Sequence, residues 1–122
     1  MINWDSMIKS CGDEDIAIEV VGMFVKDSPR CIESIAEALQ AQDMKLVKMY
    51  AHSLKGAAFH IGDNELAQKA YLLECAGRDK KFEESVSLFE QIQEEYDKLI
   101  SVLSRPDWIK FVKEHQTAGL SS

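Results

Sequence analysis

The chain is poor in helix breakers, with two prolines, Pro29 and Pro106, and six glycines in 122 residues. No stretch alternates apolar and polar residues long enough to make a strand, so a sheet is excluded as the organising element and helices must dominate. A bilayer-spanning run of about 18 apolar residues is also missing. Met1-Ile2-Asn3-Trp4-Asp5 has neither the basic start nor the apolar stretch of a secretory signal, which predicts a cytoplasmic protein without membrane insertion. Cys11, Cys31 and Cys75 are odd in number and far apart, with no C-x-x-C pair, which argues against a disulfide framework and a thiolate metal site. They are expected to be small buried apolar residues. A basic surplus is lacking too: 14 Lys and Arg face 21 Asp and Glu for a net charge of -7, which excludes a nucleic-acid-binding surface. No G-x-x-x-x-G-K-[ST] loop or glycine-rich kinase motif occurs, so no ATP-dependent kinase activity is expected.

What is present reads as one ordinary globular domain, 46% hydrophobic and 29% charged. A short helix over Trp4 to Cys11 stops at Gly12, and Asp13 caps a long helix carrying Ile16, Val20, Val21 and Phe24. Ile32, Ile35, Ala36 and Leu39 resume its apolar stripe beyond Pro29, which predicts one long helix kinked at the proline. Asp43 opens a central helix from Met44 to Ile61 that ends at Gly62. Asp63 caps the next, with Leu66, Ala70 and Leu73 on one side and a stop near Gly77. Phe82, Val86, Phe89, Ile92, Tyr96, Leu99, Ile100 and Leu103 mark the last long helix. Short connections favour antiparallel neighbours. The expected fold is therefore all-α: an antiparallel up-down four-helix bundle over residues 1–104, with a short N-terminal helix. Residues 105–122 form a tail in which Trp108, Ile109 and Val112 mark either a short docking helix or a linker.

Projected at about 100° per residue, the central helix sets Val47, Tyr50, Leu54, Ala57 and Ile61 on one side and His52 opposite them. Lys45, Lys48, Lys55, Gly56 and Phe59 share the outward side, with His60 on its flank. An exposed Phe59 and a helix-interior Gly56 both oppose stability, the glycine by about 1 kcal/mol relative to alanine. Such departures tend to mark sites. Charge agrees: residues 42–62 hold Asp43 against Lys45, Lys48 and Lys55, a local formal charge of +2 between acidic flanks. A neutral imidazole is a competent nucleophile, and lysines around it suit an incoming anion such as a phosphoryl group. Lys55, at i+3, can reach phosphoryl oxygens, and Gly56, at i+4, removes a side chain where a partner must approach. Helix geometry alone leaves open a solvated histidine on a solubilising lysine face.

The run His52-Ser53-Leu54-Lys55-Gly56-Ala57-Ala58, continuing Phe59-His60-Ile61-Gly62, resembles the histidine-containing phosphotransfer (HPt) family of two-component phosphorelays. Leu66, Leu73-Glu74 and Arg78 follow suitably, and a looser likeness extends from about Trp4 to Leu103, taking in Phe24 and Leu39. The resemblance implies that His52 is the phosphorylated residue, Lys55 the phosphate-stabilising base and Gly56 the clearance residue. It also implies a monomeric carrier that binds no cofactor or metal of its own. Its partners would be response-regulator receiver domains and a hybrid sensor histidine kinase, with Mg²⁺ on the receiver. Assignment of Phe59, Lys48 and Lys45 to docking rests on the helical projection, and His60 reads as a flank residue. Two rivals remain. A non-transferring adaptor would keep the bundle and bind receivers; a metal-binding bundle is disfavoured because Met49 and Ala57 stand where Glu-x-x-His would need glutamate.

Overall fold

The computed structural model describes residues 1–120, with side chains described through residue 115; Ser121 and Ser122 lie outside the described residues. Six helices follow one another: α1 (Trp4–Cys11), α2 (Glu14–Gln40), α3 (Met44–His60), α4 (Asn64–Arg78), α5 (Phe82–Leu103) and α6 (Trp108–Leu120). Helices α2 to α5 each pack on the next, and α2 meets α5 to close the bundle.

The same joint connects these four helices three times. Gln42, Gly62 and Lys80 take positive φ of 53°, 74° and 57°. The following amide then reaches back into the finished helix: Asp43 N to Ala38 O at 2.9 Å, Asp63 N to Ala58 O at 3.0 Å and Lys81 N to Ala76 O at 2.9 Å. This satisfies carbonyls that a helix end leaves open. Asp43 and Asp63 next accept the amides of Leu46 and Leu66 and start the new helix. Lys81 takes the same position without a side-chain cap. At Gly62 a β-carbon would stand 2.9 Å from the Asn3 carbonyl oxygen, so both φ and space demand glycine. The Asn3 amide donates to the Gly62 carbonyl there, tying the chain start to the far end of α3.

The core is one cluster in which Ile35, Val47, Leu54, Leu66, Leu73, Ile92 and Leu99 are buried. Its polar pair, Ser28 and Tyr96, shares a 2.8 Å hydrogen bond between α2 and α5 and so avoids the cost of unpaired burial. Beyond the bundle, the tail is a helix rather than a linker: α6 packs on α5 and α1, Val112 is fully buried, and Trp108 meets Trp4 edge-on at 5.7 Å.

Helix α2 is one long helix that continues through Pro29, as the apolar stripe on both sides of the proline predicts. Helix α4 ends at Arg78, one residue past Gly77 and in line with the expected stop. Gly77 is also where α3 and α4 touch, since a β-carbon on it would lie 2.9 Å from the Lys48 amide nitrogen and 3.1 Å from its Cα. The inward arc of α3 is turned toward α4 accordingly: Ala51 and Ala58 are buried with Val47, Leu54 and Ile61, while Tyr50 and Ala57 are only half-buried. Small residues permit this close approach. The three cysteines are free and half-buried rather than fully buried, Cys11 and Cys31 packing against the core.

Candidate functional site

Helix α3 presents His52 outward, as the projection predicts, with 66% of its side chain exposed. Its surroundings are completed by α4. The Glu74 carboxylate reaches across with Oε2 3.1 Å from His52 Nδ1 and Oε1 2.8 Å from Lys55 Nζ. A carboxylate can only accept at this distance, so Nδ1 carries the proton; in a neutral ring Nε2 then holds the free electron pair. Burial alone would raise the Glu74 carboxyl, but the Lys55 ammonium and the His52 ring outweigh it and hold the group below the ordinary carboxylate range. Lys55 is pinned from a second side, its ammonium 5.4 Å from the centre of the Tyr71 ring.

Gly56 has open space where a side chain would project: among the described residues no packing neighbour lies within 4 Å of the place a β-carbon would take. No packing contact among the described residues therefore requires glycine at this position. Beside it a groove of about 530 Å³ runs between α3 and α4, lined by His52, Lys55, Gly56 and Phe59 on one side and by Gln68 and Tyr71 on the other. Phe59 is 68% exposed at its rim. Lys45 and Lys48 are exposed on the N-terminal half of α3 and do not line this groove. His60 borders it and also borders a second, apolar groove of about 410 Å³ on the opposite flank of α3, walled by Val20, Met23, Phe24 and Leu54. The first groove holds the reactive side chains although the second is the better enclosed.

The groove brings together His52, Lys55, Gly56 and Phe59, which the helical projection sets on one face; Glu74 enters the sequence reading only within the Leu73-Glu74 resemblance, and neither it nor Tyr71 is given a role there. Glu74 lies 22 residues from His52, beyond any local spacing rule. A signal was available: Glu74 borders the buried α4 stripe of Leu66, Ala70 and Leu73, where an acid faces the locally basic α3. Among the described residues no group of three or more His, Cys, Asp and Glu is placed to hold a metal ion, and no helix is long and apolar enough to cross a membrane.

The site geometry can be set beside known proteins. A family model described as "Hpt domain" matches residues 19–102. Among solved structures, the chain is similar to the crystal structure of histidine-containing phosphotransfer protein B (HptB) from Pseudomonas aeruginosa PAO1, with a TM-score of 0.71 and 25% sequence identity. That likeness covers 91% of this chain and 90% of the other. A search of curated proteins finds no match.

Proposed function

The chain belongs to the Hpt domain family, and from that premise we propose that it carries a phosphoryl group on His52 Nε2 between receiver-domain aspartates in a two-component phosphorelay. The observation that carries this reading is the exposed imidazole whose Nδ1 is held by Glu74, which leaves Nε2 as the nucleophile. In the accepting step the Nε2 electron pair attacks phosphorus, the N–P bond forms, and the P–O bond to the donor aspartate breaks as its carboxylate leaves. Lys55 offsets charge on the phosphoryl oxygens, and Gly56 leaves room for the receiver's active site. Phe59 supplies apolar docking surface, while Lys45 and Lys48 extend the positive face that draws in the acidic partner site. The receiver contributes Mg²⁺, and this chain acts as a carrier rather than a kinase. A hybrid sensor histidine kinase upstream, a monomeric state and a cytoplasmic setting complete the proposal.

The test mixes the protein with a phosphorylated receiver and follows label onto it. The expected product is acid-labile, base-stable phosphate that is absent in His52→Gln. Equal labelling of that variant would overturn the site, and an unlabelled wild type that still binds receivers would favour the adaptor reading.

A further inference from the structure

Glu74 does more than orient a ring, because its two oxygens serve two different groups. Oε2 accepts the hydrogen bond from His52 Nδ1 and Oε1 faces the Lys55 ammonium. Oε1 is buried and makes no aligned hydrogen bond, so the ammonium charge is what compensates it. Arg78, one turn further along α4, is no substitute: its Nε and Nη2 donate to the two Asp79 oxygens at 3.0 and 3.3 Å. Lys55 must then serve both the carboxylate and any phosphoryl group placed on His52.

We infer, resting on the reading of His52 as phosphoryl acceptor, that Glu74 keeps the phosphohistidine labile, so that the group is passed on rather than stored. Two effects act in the same direction. The carboxylate competes for Lys55 and weakens neutralisation of the resting phosphoryl oxygens. It also favours the form of the phosphorylated ring that retains its Nδ1 proton, which departs as neutral imidazole when the Nε2–P bond breaks and the P–O bond to the next aspartate forms. The other charged and titratable groups bearing on this corner are Lys55 from α3 and Tyr71, Cys75 and Arg78 on α4 itself.

The experiment uses the full chain and Glu74→Gln, whose amide oxygen still accepts the Nδ1 proton while the charge is gone. After labelling from a phosphorylated receiver and removal of that receiver, the half-life of phospho-His52 should lengthen about tenfold. Onward transfer should slow in parallel. Nitrogen NMR of the phosphorylated protein should show a strongly hydrogen-bonded Nδ1 proton in wild type that is weakened in Glu74→Gln, a difference that a purely structural role would not produce. If the amide variant does not fold, Glu74→Asp, which withdraws the charge by one methylene, should lengthen the half-life in the same sense. An unchanged or shortened half-life in a variant that labels at His52 overturns the inference and leaves the carrier function intact. A wild type that takes no label on His52 overturns the function itself.

Discussion

Gly56 and Gly77 are both glycines inside helices, yet a side chain would meet opposite surroundings at the two positions. At Gly56 it would enter open space, so Gly56→Leu should fold at least as well as wild type, gaining up to about 1 kcal/mol from helix propensity. Its phosphoryl acceptance should nevertheless slow, because the new side chain stands beside His52. At Gly77 a methyl group would press on the Lys48 backbone, which cannot yield as a flexible side chain would. Gly77→Ala should therefore lose about 1–3 kcal/mol of packing, outweighing the propensity gain of about 1 kcal/mol. Urea melts of both variants with transfer kinetics check the pair; equal stability changes would show that the α3–α4 contact is looser than its geometry implies. His52, Lys55 and Gly56 were legible in sequence because one helical turn brings them together. Nothing local distinguished the clearance glycine from the packing glycine, since the difference lies in what the neighbouring helix places opposite each.

The joints of the bundle show how far element boundaries can be read. Asp43 and Asp63 were recognisable as starts because a cap acts on an amide three residues away in the same chain. Lys81 adopts φ and ψ of -93° and 84°, close to the -92° and 88° of Asp63, but offers no acceptor. Lys81→Ser would supply a hydroxyl acceptor at this cap, and Glu84 at the third helical position would complete a reciprocal capping pair. The urea midpoint of that variant should rise by an amount equivalent to about 0.5–2 kcal/mol. A fall would mean that the existing Lys81–Glu84 ion pair, at 4.0 Å and on exposed side chains, matters more than such surface pairs usually do. The continuous course of α2 through Pro29 was legible as well, because the apolar stripe resumes beyond the proline despite the local penalty a proline carries inside a helix.

At the scale of the molecule, the acidity expected to exclude nucleic acid is distributed so that α3 alone among the bundle helices is basic, and α4 answers it with Glu74. The bundle is closed at one end by α1 and α6, with Trp4 and Trp108 in contact, Val112 buried, and Lys113 3.4 Å from Glu14. Ending the chain after Ser104 would uncover Trp4 and the surface beneath Val112. That truncation should melt several degrees lower, consistent with the few kcal/mol held by buried apolar side chains. It should still accept phosphoryl on His52, because among the described residues none that lines the groove belongs to α6. Loss of labelling in a truncated chain that retains its helical circular dichroism would show that α6 supports the site after all.

The sequence by itself determined the all-helical class, the helix starts at Asp13, Asp43 and Asp63, the outward-facing histidine and the lysine and glycine beside it. All of these depend on interactions within a few residues, which periodicity and capping rules describe. Only the tertiary structure decided that α6 is part of the body, that Gly77 is a contact between α3 and α4, and that Glu74 joins His52 to Lys55. Each of those depends on the rotation and spacing of one helix against another, which the small side chains of α3 and α4 set together and neither sequence segment specifies alone.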